Sequence, residues 1–129
     1  MSQENVEIVR RAYAAPALLI DAQHVAHDAE FDFRDIYPDQ PVLRGVDEMR
    51  AFSGSGPWGG SIRFEPDQYL QIDADRVLVL VRVAAIGIGS GAPVERLVAH
   101  EFTLHAGLIV RFKVHGDAIG ALKAVGLEK

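Results

Sequence analysis

A chain of 129 residues, 49% hydrophobic and 24% charged, has material for one core, which points to a single domain over residues 1–129. Its 18 acidic residues outweigh 13 basic ones for a net charge of −5, so the attraction behind nucleic-acid and anionic-membrane binding is lacking and neither partner is expected. The absence of cysteine excludes disulfides, thiolate nucleophiles and thiolate metal sites. The opening Met1-Ser2-Gln3-Glu4 has neither the basic start nor the apolar core of a signal peptide, and no apolar run approaches the roughly 20 residues of a membrane span, so a cytoplasmic location is expected.

Residues 3 to 14 carry the pattern of a short amphipathic helix. Ser2 caps it, Glu4 suits the positive end of its dipole, and Val6, Val9 and Tyr13 form an inward stripe. Pro16 interrupts it and suits the first turn of a second helix, to about His27, that carries Leu18, Leu19, Ala22 and Val25 inward. From Ala29 to Arg34 the alternation of Phe31 and Phe33 against Glu30, Asp32 and Arg34 predicts a half-buried strand, ended by the Pro38–Pro41 segment. A third short helix follows from about Val46 to Phe52, with Asp47 and Glu48 in its first turn.

The glycine-rich run 53–61 reads as a loop. Its Trp58, the only tryptophan, either anchors that loop or belongs to the mouth of a pocket. Ile62–Ile72 and Arg76–Ile88 predict two more strands, and the glycines of 87–91 match no phosphate-binding spacing and mark a hairpin end. Val98 to Val114 contains two period-two runs joined through Gly107, an antiparallel hairpin. A last helix over Asp117–Val125 ends at Gly126 in a left-handed cap. Helices first, then hairpin-joined strands, give an α+β order with one strongly curved antiparallel sheet covering the helices.

Within the hairpin Val98, His100, Phe102 and Leu104 share one face, opposed by Ala99, Glu101, Thr103 and His105. On its second strand Val110, Phe112 and Val114 oppose Arg111, Lys113 and His115. His100 thus stands in an apolar row, either as a core histidine bonded to an oxygen or as a ligand-facing proton shuttle. Its apolar neighbours predict a mostly neutral imidazole at neutral pH. Tyr13, Tyr69 and Trp58 suit hydroxyl and indole donors to a cavity walled by Phe31, Phe33, Phe102 and Phe112, or equally a core. The run His24-Val25-Ala26-His27-Asp28 puts two histidines at helical i, i+3 spacing, but no third ligand accompanies them, so neither a metal nor another cofactor is expected. No nucleophile elbow or Ser-His-Asp order is present. The opposite sheet face, with Arg34, Arg82, Glu101, Thr103, Arg111 and Lys113 among Leu97, Ala99 and Ile109, suits a symmetric dimer contact.

The stretches Ser2–Tyr13, Arg44–Phe52, Asp75–Arg82 and Ala99–Leu104 together resemble the SnoaL-like branch of the nuclear-transport-factor-2-like superfamily, over nearly the whole chain. The resemblance implies a cystatin-like cone, a curved sheet wrapped over a long helix with a pocket inside, and frequent dimerisation through the sheet. It says less about chemistry, because the same cone hosts isomerases, cyclases, hydrolases and binding domains. The chain departs from the pattern where Ala14-Ala15-Pro16 runs straight into Ala17-Leu18-Leu19. By position, the ketosteroid isomerase base would fall near Phe33, which has no carboxylate, and its oxyanion-hole acid near His100. The expectation is therefore a domain that takes a small, largely apolar molecule into an internal pocket with His100 as acid or base. Tyr13, Phe31, Phe33, Trp58, Tyr69, Phe102 and Phe112 would line that pocket. The alternative is a non-catalytic binding or dimeric interaction module.

Overall fold

Apolar residues at helical spacing, then long runs of alternating apolar and polar residues, fold as three helices and six strands in the computed structural model, which describes residues 2–14, 24–55, 63–86 and 93–126. Helix α1 spans Ser2–Ala14, β1 Val25–Asp32, β2 Leu43–Arg44 and α2 Val46–Ser55. Strands β3 (Arg63–Gln71), β4 (Arg76–Ile86), β5 (Pro93–His105) and β6 (Leu108–His115) follow, and α3 (Ala118–Ala124) closes the chain. The strands form one open sheet in the order β2-β1-β6-β5-β4-β3.

Alternation assigns the two faces. Val77, Val79 and Val81 of β4, Val98, Phe102 and Leu104 of β5 and Phe112 and Val114 of β6 point inward, where Val9 and Ala12 of α1 complete the main core. Tyr13 and Val6 pack at its margin, so the inward stripe of α1 falls where the spacing predicted. Burying such side chains supplies roughly 1.5–3 kcal/mol each, which holds a helix of 13 residues that would be marginal alone.

Four expectations are corrected. The sheet is mixed, because β1 runs parallel to β6 while every other pairing is antiparallel. The second helix does not reach His27: residues 25–27 open β1, where Ala26, Ala29 and Phe31 bury themselves against β6, and residues 16–23 lie outside the described ones. Ile109 is fully buried rather than outward, because a bulge between Thr103 and Leu104 sets Leu104 opposite Ile109 and breaks the alternation of β6 at its start. Finally, the outer face is not wholly open to a partner: α3 lays Ala118 and Ala121 on Leu78, Leu80 and Ala99, so Ala99, expected at a dimer contact, is buried under a helix of the same chain. Asp117 caps α3 by accepting from the amides of Ile119 and Gly120, and Gly126, at φ 79°, ends it in the left-handed conformation expected of it.

Candidate ligand site around His100

Strand β5 carries His100 at the middle of the inner face, opposite Val79 of β4 and Val114 of β6, and leaves it 2% exposed. Helix α1 crosses that face and brings Tyr13 over it. The Tyr13 Oη lies 2.6 Å from His100 Nδ1, a contact between residues 87 positions apart. The two rings are parallel within 2°, with centroids 5.9 Å apart. Around them stand Phe112 with its centroid 4.8 Å from that of His100, Phe64 at 5.4 Å and Phe102 at 6.4 Å.

The protonation states follow from this surrounding. Burial pushes the His100 imidazole down from its ordinary value to about 3, helped by the repulsion of His115. Burial likewise pushes the Tyr13 phenol well above its usual range, and Tyr69 adds to it. Both partners are neutral at pH 7. Either group can donate in this contact; with the phenol, the stronger acid, assigned as the donor to Nδ1, the proton of His100 is placed on Nε2. Among the described residues Nε2 has no hydrogen-bond partner.

The other residues singled out by sequence join the same cluster at increasing distance. Phe102 and Phe112 stand with centroids 5.1 Å apart, Phe31 packs on Phe112, and Phe33 lies between Phe112 and Phe52. Tyr69 meets the ring of Tyr13 edge-on at 6.2 Å, with the Arg10 guanidinium 4.4 Å above its own centroid. Trp58 lies outside the described residues. Phe64 was missed, although the alternation of Phe64 and Pro66 against Arg63 and Glu65 on β3 carried the signal. These side chains form a packed aromatic cluster. An open hollow of about 430 Å³ lies elsewhere, between Glu4, Asn5 and Ile8 of α1 and the turns at Ala74-Asp75 and Ala106-Gly107.

The charged groups sit on the opposite face. Arg34 grips Asp32 with two bonds of 2.9 and 2.8 Å, and Arg111 adds a third at 3.2 Å. The Arg34 side chain holds the buried Asp32 carboxyl far below the usual carboxylate range, against burial, which pushes it up. No group of three or more metal-ligating side chains occurs among the described residues, and His27 and Asp28 are exposed on β1. No described helix is long and apolar enough to cross a membrane.

An open mixed sheet with a helix across its inner face is an α+β cone of the nuclear-transport-factor-2-like type, and this is the fold of the chain. No protein-family model and no curated protein sequence matches it. Solved structures do. TerC, co-crystallised with polyporic acid, superposes with a TM-score of 0.76 at 18% identity, over 95% of this chain and 98% of that one. A protein of Jannaschia sp. CCS1 assigned as a SnoaL-like polyketide cyclase gives 0.72 at 18% identity, over 99% and 95%. An NTF2-like protein of Burkholderia thailandensis E264 gives 0.70 at 26% identity, over 92% and 95%.

Proposed function

We propose that the cone takes a small, largely apolar molecule against the inner face of β5 and applies cofactor-independent acid–base chemistry to it through His100. The observation that carries this reading is the 2.6 Å bond from Tyr13 to Nδ1. Taking an imidazole and a phenol out of water costs free energy that one mutual bond only partly offsets. With Nδ1 occupied, Nε2–H is the group left to meet the ligand, and it does so as a hydrogen-bond donor. Tyr13 acts as the positioning residue that fixes the tautomer and the ring plane. Phe31, Phe33, Tyr69, Phe102 and Phe112 supply the apolar wall, and Trp58 is proposed as a further lining residue. The likeness to TerC with polyporic acid and to a protein assigned as a polyketide cyclase supports the same class of ligand. A homodimer through the outer sheet face belongs to the proposal in reduced form, with Leu97 as its apolar contact, since Ala99 and Ile109 are covered.

A second reading is favoured by the close ring contacts around His100: a purely structural pair that ties α1 to the sheet. Native mass spectrometry of the purified protein, followed by the same measurement on His100→Ala, separates the two. A co-purifying molecule that is lost from a variant still folded supports ligand binding. Retention of the molecule by a strongly destabilised variant contradicts it and makes the histidine structural.

A further inference from the structure

We infer that the corner of the outer sheet face where β1, β2 and β6 meet is a binding site for a doubly charged oxyanion, a phosphate group, held by the guanidiniums of Arg34, Arg44 and Arg111. The site stands apart from the His100 reading, because it lies on the opposite face of the sheet.

Strand register assembles it. Glu30 pairs with Arg111 of β6 on one side and with Arg44 of β2 on the other, and Asp32 pairs with Lys113. Arg34 turns back on Asp32 and grips its two oxygens through Nε and Nη2 at 2.9 and 2.8 Å, while Arg111 Nη2 reaches the same Oδ2 at 3.2 Å. Glu30 is shared in the same way, with Arg44 Nη2 2.8 Å from Oε2 and Arg111 Nε 4.0 Å from Oε1. Arg34, Asp32, Arg111, Glu30 and Arg44 thus form one continuous row.

Pairing does not exhaust its cations. With Lys113, which bonds to no carboxylate among the described residues, four cations stand against two carboxylates in a chain whose net charge is −5. A guanidinium carries five N–H donors, yet the bonds engage two of Arg34 and one each of Arg44 and Arg111, and Arg111 Nε is buried without a hydrogen bond among the described residues. The Asp32 side chain, 2% exposed, fixes the inner edges of two guanidiniums, while the side chains of Arg34, Arg44 and Arg111 remain 56%, 63% and 41% exposed.

Stability alone gives this arrangement little reason. Exposed ion pairs contribute almost nothing net, and a buried carboxylate loses hydration that its partners barely return. A buried carboxylate that orients exposed arginine forks does serve an oxyanion, because the side chains are ordered before the ligand arrives. Three adjacent forks offer more donors than one carboxylate can accept, whereas a phosphate dianion brings a double charge and several acceptor oxygens.

The test titrates inorganic phosphate and, separately, glycerol phosphate into the full-length protein at about pH 7.5, where the phosphate is mostly doubly charged. Ionic strength is held constant, sodium chloride is the control salt, and the backbone amides are followed by nitrogen-15 NMR. Saturable shifts are expected in residues 30–34, 43–44 and 111–113 and are expected to be absent with chloride. Preference for the inorganic ion marks a free anion as the ligand; equal or tighter binding of the ester marks the phosphate group of a larger molecule. Arg44→Gln is expected to weaken binding about five-fold or more and Arg44→Lys to recover only part of that loss, since the fork is gone. Arg82→Gln, which removes the same charge from a position 54% exposed elsewhere on that face, is expected to leave binding within about two-fold. No saturable shift in these residues, shifts that chloride reproduces, or an equal loss from Arg82→Gln overturns the inference and makes the row a structural ion-pair network; none of these outcomes touches the reading of His100.

Discussion

His100 and His115 sit on neighbouring strands of one sheet but on opposite faces, and the faces treat the same side chain in opposite ways. Inside, His100 has a phenol for a partner, rings for neighbours and no counter-charge, so burial drives it neutral. Outside, His115 Nε2 lies 2.9 Å from Glu101 Oε1, and Glu101 is in turn reached by Arg76 at 3.4 Å. The bond from His115, ahead of the Arg76 contacts and against burial, lowers the Glu101 carboxyl. The inner face strips charge and keeps one oriented donor; the outer face collects charge and neutralises it in pairs. A single sheet thereby separates an uncharged aromatic interior, the site proposed for an apolar molecule, from a face of paired charges.

The sharpest way to break this division is to move charge inward. Ile109→Asp places a carboxylate at a fully buried position and is expected to abolish cooperative folding altogether, as circular dichroism would show. Phe102→Ala removes a buried ring that packs on Tyr13, His100 and Phe112 and is expected to cost about 3–5 kcal/mol in chemical denaturation. Tyr13→Phe deletes the only partner of Nδ1 among the described residues and should cost on the order of 1–3 kcal/mol through the unpaired nitrogen, while freeing the ring to change tautomer.

Acidity probes the same contrast with a defined sign. Between the ordinary imidazole value of 6.5 and about 3, the unfolded chain binds a proton at His100 that the folded chain refuses. Stability contributed by its neutrality is therefore complete at pH 7 and lost as pH falls, at up to about 1.4 kcal/mol per pH unit. The lowered carboxyls of Asp32, Asp73 and Glu101 add their losses only further down, in the carboxylate range. Subtracting the profile of His100→Phe isolates the upper part of the window; equal slopes in the two proteins would contradict the neutral imidazole. At the alkaline end the raised Tyr13 phenol acts in reverse, with stability present below pH 10 and lost above it. The smallest effect belongs to the outer face: Leu97→Asp, at a position 46% exposed, should change stability by less than about 0.5 kcal/mol. Sedimentation should nonetheless show it weakening the proposed dimer.

Much of this division is legible in the residues. The unbroken alternation from Val98 to Leu104 places His100 inward and Glu101 outward, and the spacing of Val6, Val9 and Tyr13 brings the phenol to the same side. The bond between them joins residues 87 apart, and no local pattern encodes which inward side chains meet. Ile109 misleads because a bulge shifts the register without leaving a glycine or proline as a mark. The parallel pairing of β1 with β6 is equally non-local, and the alanine and two leucines of 17–19 look helical in sequence a few residues before β1. Helix α3 covers the outer face through Ala118 and Ala121, side chains too small to advertise a buried contact.

The central claim is that His100 is a neutral imidazole, protonated on Nε2 and held at Nδ1 by Tyr13. Nitrogen-15 NMR of the histidine side chains, followed from pH 7 down to about 4.5, roughly two units below the ordinary imidazole value, tests it most directly. The account predicts one set of His100 resonances with the proton on Nε2 and no titration over that range. A midpoint near the ordinary imidazole value, or a proton found on Nδ1 at pH 7, would contradict it.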